Sequence, residues 1–379
     1  MQPKKVLIFI DWFLPGTASG GPLRSYANLI AQLNEGFEFY IITRDTDFGA
    51  TEPYKTVVSN SWNPLNAYTQ VYYFSDNRIN HSNLRALIAA TTFDLALVNG
   101  MYSWYFSILP LWVLKSSHKP LVVSARGMLN PQAFSVKGSR KKMFLSLARA
   151  LQLYKGVTLH ATNSDEAQFI KNELGAQTSI KIAPNLPRPV QTYHPKTIVS
   201  SSPVKMANIA RIAKEKGTLL MLQALKQVQH ALELDIYGPI YDASYWEQCL
   251  VMIATLPVHI KVRYRGVLPG DEVPIVLRDY HFMVLLSEGE NFGHAIFEAF
   301  AAGCPVIISN QTPWRDLEGQ QLGWDVSIRD TAAVVRAFET ALGMTAEDYK
   351  VWSRKAFEFA KGVAEDASVL EANRELFLE

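Results

Sequence analysis

The tightest constraint on this chain is a rhythm in its apolar residues. Short runs rich in β-branched and aromatic side chains alternate with segments of helical period at Val6–Ile10, Phe39–Thr43, Val71–Phe74, Leu95–Val98, Leu121–Ser124, Val157–Ala161 and Ile180–Ile182. Parallel strands need a helical crossover between them and are buried on both faces, so near-continuous apolar runs separated by helices predict a parallel sheet covered on both sides. Between Pro184 and Pro203 the rhythm breaks at five prolines (184, 187, 189, 195 and 203) and three consecutive serines, a composition that favours a linker. It resumes at Met206–Ile209, Leu232–Ile236, Ile260–Tyr264, Phe282–Leu286 and Val306–Ser309, and from residue 345 onward only helical period remains. The expected fold is α/β, two Rossmann-like doubly wound domains facing across a cleft: 1–186, a linker at 187–203, 204–344, and helices at 345–379 packing across the domains. Open parallel sheets bind ligands beyond the carboxyl ends of their strands, so function is sought in the strand-to-helix loops.

Bulk properties exclude several classes. With 379 residues, 48% hydrophobic and 19% charged, the chain has material for two cores. A net charge of +2 lacks the basic excess of a nucleic-acid binder. Cys249 and Cys304 stand too far apart for a disulfide framework or a cysteine metal knuckle, which suits a reducing cytoplasm. The run Val6–Ile10 is too short for the apolar region of a signal peptide, and nowhere do about 20 apolar residues line up to span a bilayer. The expected location is cytoplasmic, with any membrane contact peripheral on the inner face.

The densest chemistry lies in the second half. SEGENFGHAIFEAFAAGCPVIIS, residues 287–309, carries Glu290 and Glu298 separated by seven residues, with Gly289 and Gly293 between strand and helix. Gly293 opens the helix, whose free N–H groups favour an anion. Glu298 then lies within the helix and Glu290 in the loop before it, so the two carboxylates can reach opposite ends of one elongated ligand. Solvated surface glutamates have the same spacing, and spacing alone does not choose between the readings. Upstream, NIARIAKEKG at 208–217 sets Arg211 and Lys216 beyond a strand end. A guanidinium fork and a point charge five residues apart suit a diphosphate; a solvated turn through Lys214 and Glu215 is the alternative. In TASGGPLRSYANLIAQL, residues 17–33, Gly20 and Gly21 let backbone approach a ligand, and Pro22 fits the first turn of a helix.

The run ENFGHAIFEAFAAGCPVI resembles the motif of the retaining glycosyltransferases of family 4, the glycosyl transferases group 1 domain. Arg211, Lys216 and the Gly-Gly loop are similar to that family's counterparts. VNGMYSWYFSILP, LVVSARGMLNPQAFSVKGSRKK, LHATNSDEAQFI and KIAPNLP look like a branch found in bacterial surface-polysaccharide assembly. The likeness spans nearly the whole chain. It implies the GT-B architecture, an N-terminal acceptor-binding domain and a C-terminal donor-binding domain. It also implies a nucleotide diphosphate sugar donor (UDP- or GDP-linked), a glycan or polyprenyl-diphosphate-linked glycan acceptor, and retention at the anomeric carbon; no cofactor is expected, and Arg211 and Lys216 can neutralise the leaving diphosphate without a metal. The implied donor-binding set is Gly20, Gly21, Arg211, Lys216, Gly289, Glu290, Asn291, Phe292, Gly293, His294 and Glu298. Within it Arg211 and Lys216 serve the diphosphate, Glu298 the ribose and Glu290 the sugar hydroxyls, and the backbone at 292–294 the sugar or β-phosphate.

Two positions depart from the family pattern. Asn291 replaces the usual Gly or Ser, a change of loop shape more than of role. Asn99 stands where many members have a histidine facing the reacting sugar. Asparagine can hydrogen-bond a hydroxyl but cannot move a proton near neutral pH. Asn99 therefore joins Glu290, Arg211 and Lys216 as a catalytic candidate that orients the donor, with Arg126 and His160 as auxiliary or acceptor-side residues. A hydrogen-bonded core histidine is an equal reading of His160.

Two further features have competing explanations. Asp45-Thr46-Asp47 matches a metal-binding D-x-D pattern, but its place after the second strand favours a solvated loop. Residues 136–155 hold Lys137, Arg140, Lys141, Lys142, Arg149 and Lys155 with no acidic residue, interleaved with leucines and Phe144. Such a helix can face anionic lipid or simply cover the core with its lysines in water; Lys137, Arg140, Lys141 and Lys142 are the membrane-facing candidates. Rival readings of the chain are a nucleotide-sugar epimerase of the same architecture, an inactive sugar-nucleotide-binding homologue, and a nicotinamide oxidoreductase. The last is disfavoured because DWFLPGTASGG is not a G-x-G-x-x-G turn.

Overall fold

The computed structural model describes residues 2–130, 138–199 and 202–378. The chain forms two compact units, Met1–Leu186 with Ala367–Glu379, and Pro187–Asp366.

The first unit is built on eight strands: β1 (Lys4–Phe9), β2 (Phe37–Arg44), β3 (Trp62–Asn66), β4 (Thr69–Phe74), β5 (Leu95–Asn99), β6 (Leu121–Ser124), β7 (Thr158–Ala161) and β8 (Ile180–Ile182). Their order is β3-β4-β2-β1-β5-β6-β7-β8. All neighbours are parallel except β3 and β4. β1 is central, and its side chains divide by the two-residue period of a strand. Leu7 and Phe9 enter a core with Val98, Phe106 and Leu145; Val6 and Ile8 enter the opposite one with Tyr26, Leu29 and Phe377. Phe377 comes from the helix Ala367–Leu378, and its ring lies 5.8 Å from that of Phe37 and 6.3 Å from that of Phe39. Residues 367–379 thus complete the first unit, whereas the helix Ala346–Ala364 belongs to the second, packing Ala356 and Ala360 against Phe300.

The second unit has six strands, β9 (Val204–Ile209), β10 (Leu232–Tyr237), β11 (Ile260–Tyr264), β12 (Phe282–Leu285), β13 (Val306–Ser309) and β14 (Gly323–Val326). They lie in the order β11-β10-β9-β12-β13-β14 and are parallel throughout. Strands β3 and β14 have no counterpart in the apolar rhythm, and both lie at sheet edges. In each unit the chain winds outward from a central strand and then returns to its other side, between β1 and β5 in the first and between β9 and β12 in the second. Reversals of this kind open a crevice at the carboxyl ends of the two strands.

Candidate active site

At the reversal of the second unit, the loops after β9 and β12 interlock. The chain leaves β9, passes Arg211 and makes a tight turn at Lys214–Lys216, and Glu288 N–H donates to Glu215 O at 2.8 Å. Gly217 follows with φ of 70°, and a Cβ there would stand 2.0 Å from Leu286 O. Only glycine permits that approach of the two loops. It brings Lys216 Nζ to 2.6 Å from Glu290 Oε1, in a pair whose side chains are 15% and 13% exposed. Both Nε and Nη2 of Arg211 donate to Glu215 Oε1, at 3.1 and 2.8 Å, and its guanidinium lies 5.4 Å from the Tyr241 ring centre. Two of the five N–H groups of the fork are thereby engaged, and its plane is set. Burial raises the Glu215 carboxyl pKa, but a hydrogen bond from its own backbone and the bonds and charges of Arg211 and Lys216 outweigh burial and hold it below its ordinary value. The hydroxyls of Thr218 and Ser287 are buried beside this pair of loops without a partner among the described residues.

Gly293 adopts φ of 78° and starts the helix His294–Ala301. Trp314 fixes the loop before it, donating Nε1–H to Phe292 O at 2.6 Å and setting its ring 5.4 Å from that of Phe292. His294 is buried, its ring 4.9 Å from Phe292. Gly289 and Asn291 flank Glu290 in the same loop. Glu298 faces different surroundings: it is buried on the helix at the wall of a cavity of about 30 Å³, with Arg188, Gln191, His194 and Arg278. Gly238, at the end of β10, was not singled out by sequence; a Cβ there would meet Ala210 O at 1.9 Å.

The corresponding edge of the first unit is held differently. Asp11, beyond β1, accepts a hydrogen bond from Ser103 Oγ at 2.6 Å. Burial raises its carboxyl pKa, partly opposed by Ser103 and the charge of Arg44. Asn99 ends β5 and is buried; its backbone carbonyl accepts from Ser107 Oγ at 3.0 Å, while Oδ1 has no partner among the described residues. Ser103 caps, and Ser107 lies within, a π-helical turn, Trp104–Ile108, a rare form that recurs at functional sites. Arg126 has φ of 52°. Its guanidinium lies 4.4 Å from the ring centre of Tyr26, Nη1 donates to Asn185 Oδ1, and Nε is buried without a partner among the described residues. Tyr26 belongs to the helix Gly21–Gln32, whose cap is Gly20 with φ of 80°. Glu166 supports this edge from beneath, accepting from Gly127 N–H, Thr162 N–H and Thr162 Oγ.

His160 has both ring nitrogens committed, Nδ1 with Ser124 Oγ at 2.9 Å and Nε2 with Ala183 O at 2.8 Å. A carbonyl only accepts, so Nε2 carries the proton and Nδ1 accepts from the serine. Burial pushes the pKa down to about 4, with the Arg126 charge acting the same way. This is the core-histidine arrangement, with neither nitrogen turned to a ligand. Asp45 and Asp47 are also occupied, and the solvated-loop expectation for them needs correcting. Asp45 is buried and accepts from Ser59 Oγ at 2.6 Å, while Asp47 accepts from Thr17 N–H at 2.8 Å and from Ala18 N–H. Their carboxylates brace the strand end and the loop leading to Gly20 and Gly21. Arg140 and Lys142 are exposed on the helix Gly138–Ala150, but the Lys141 ammonium lies 5.8 Å from the Tyr102 ring centre, on the inner rim of the helix. Lys137 lies outside the described residues.

Residues 190–359 match the family model for glycosyl transferases group 1. No curated protein matches the sequence. Among solved structures, sucrose-phosphate synthase from Thermosynechococcus elongatus is 16% identical with a TM-score of 0.75, covering 100% of this chain and 98% of its own. HepE of Anabaena, solved in complex with UDP-glucose, is 14% identical with a TM-score of 0.72, covering 98% of each chain. Trehalose-6-phosphate synthase OtsA is 10% identical with a TM-score of 0.70, again covering 98% of each. The fold shared with them is the GT-B architecture.

Proposed function

With residues 190–359 forming a glycosyl transferases group 1 domain, the chain is a glycosyltransferase, and we propose that it moves a sugar from a nucleotide diphosphate sugar to a hydroxyl of a lipid-linked glycan in bacterial polysaccharide assembly, with retention. The observation that carries this reading is the ion pair between Lys216 and Glu290. Two residues 74 positions apart meet at 2.6 Å in a nearly dry crevice, at the strand reversal where open α/β sheets take their ligands. Lys216 keeps N–H donors beyond the one given to Glu290 and directs them at the diphosphate. Arg211, its plane fixed by Glu215, supplies the fork. Together they neutralise charge on the leaving group as the glycosidic bond breaks. This makes a metal unnecessary.

Glu290 accepts from a hydroxyl of the donor sugar and Glu298 from the ribose. Glu290 is engaged by Lys216 Nζ, and the leaving phosphate takes the acceptor proton. Asn99 and Arg126 orient substrate from the first unit, whose Gly20 and Gly21 offer backbone to it, and the reaction runs at the cytoplasmic face of the membrane. A thermal-shift screen of UDP- and GDP-sugars tests this: a ligand at about 100 times its Kd stabilises the native state by about 2.7 kcal/mol. A melting temperature unmoved by every nucleotide sugar refutes the donor assignment.

A further inference from the structure

The helix Gly138–Ala150 presents a second, unassigned surface. Its inner face buries Leu145 and Ala148 and sets Phe144 against Tyr102 at 5.3 Å between ring centres. On the outer face Met143, Leu147 and Leu151 are 71%, 57% and 70% exposed. They stand four residues apart, and Leu151 N–H bonds to Leu147 O at 2.9 Å, so the helical register carries all three into one stripe. Arg140, Lys142, Arg149 and Lys155 are exposed around it, and no acidic residue occurs from 138 to 155. Beside the end of the helix lies an open groove of about 780 Å³, bordered by Arg149, Gln152, Lys155, Gln177, Thr178 and Ser179, with no carboxylate among the described residues that line it. Lys115 adds a further cation next to it, its ammonium donating to Gln152 O at 2.7 Å.

We propose that this stripe inserts among the headgroups and upper acyl chains of an anionic bilayer, with the groove and its cations seated on the lipid phosphates. The proposal rests on the reading of the acceptor as lipid-linked and adds to it an apolar anchor. Charge decides the occupant. A symmetric dimer through this face would bring Lys142 and Arg149 of one copy against the same cations of the other. An anionic bilayer instead offers negative charge at the rim and apolar depth at the centre, the pattern an interfacial amphipathic helix requires. Lys141, turned onto Tyr102, takes no part.

The test is flotation of the full chain with vesicles of phosphatidylcholine, alone or mixed with phosphatidylglycerol, at low and high salt, with UDP and GDP affinity measured on the same preparations. The wild type is expected to bind the mixed vesicles and to keep part of that binding at high salt, where charge attraction is screened. Replacing Met143, Leu147 and Leu151 together with Ser is expected to lower partitioning at least about tenfold and abolish the salt-resistant part, leaving nucleotide affinity unchanged. Leu147→Ser alone, the milder change, is expected to lower it about threefold. Lys142→Glu with Arg140→Glu is expected to remove the salt-sensitive part only. The proposal is overturned if the wild type ignores mixed vesicles or if the Ser variants bind them like wild type. It is equally overturned if the wild type is a dimer that the Ser variants dissolve without change in vesicle binding. Loss of nucleotide affinity in every preparation, the wild type included, would refute the donor assignment and leave the anchor standing.

Discussion

The two strand-end crevices occupy equivalent positions in their sheets yet hold their polar groups in opposite ways. In the second unit the charged side chains hold one another: Lys216 grips Glu290 and Arg211 grips Glu215. In the first, the side chains are tied to the scaffold, Asp11 to Ser103, Arg126 to Tyr26 and Asn185, and His160 to Ser124 and Ala183. A mutual pair can exchange one partner for a phosphate or hydroxyl at little cost. A group fixed by the core instead offers a pre-set position, as substrate orientation requires.

The sharpest way to break this contrast is with glycine. Gly217→Ala drives a Cβ into the Leu286 carbonyl in a left-handed backbone and should cost more than about 3 kcal/mol in urea unfolding. At Gly20, φ of 80° with ψ of −140° is a conformation that only glycine enters readily, but none of the described residues lies within 4 Å, so Gly20→Ala should cost about 2 kcal/mol from the backbone alone. Equal losses would mean that the interlocked loops of the second unit are no tighter than the glycine loop of the first.

His160 offers a test of the scaffold-held side. Its folded pKa of about 4 lies below the ordinary 6.5, so the unfolded chain takes up a proton first on acidification. The stability it contributes is complete above about pH 6.5 and is lost as pH falls towards 4, about 3 kcal/mol in all. His160→Gln should flatten that part of the stability-pH curve; an unchanged slope would show that the imidazole titrates normally.

Catalysis should separate the units further. Lys216→Ala is expected to lower kcat/KM for the donor about 10²- to 10³-fold. Arg126→Lys keeps the charge and loses only the stacked fork, and should cost about tenfold. Within the second unit, Glu290→Gln should lower kcat about tenfold with nucleotide affinity intact, while Glu298→Gln should weaken binding of the bare nucleotide about tenfold, by calorimetry. Two variants that bind and turn over like wild type would reduce both glutamates to structural charges. The smallest effect expected is none at all: activity in excess EDTA should equal that without it. A strict metal requirement lost on Asp45→Ala would return Asp45 and Asp47 to the site.

What the sequence reveals follows the same division. The ten interior strands could be read because strands buried on both faces are apolar, and the edge strands β8 and β11 because Ile180 and Ile182, and Ile260, Val262 and Tyr264, alternate with charged residues. The two that could not, β3 and β14, are edge strands without such a pattern: Trp62–Asn66 contains Pro64 between two asparagines, and β14 opens on Gly323 and carries Asp325. Lys216 and Glu290 were legible because each sits in a compact local pattern. Asp11, Glu166 and Trp314 were not, because their partners Ser103, Gly127 and Phe292 lie 22 to 92 residues away. The basic run was legible as a run, but nothing local distinguishes Lys141, stacked on an aromatic ring, from Lys142 in solvent.

The helix Ala367–Leu378 has a consequence for the order in which the protein is made. Phe377 fills the core between Phe37 and Phe39, so the first unit lacks part of its interior until residues beyond 366 have left the ribosome. The second unit is continuous, Pro187–Asp366, and its whole core is translated earlier. Domains usually fold in the order of synthesis; here the unit begun first is the one finished last.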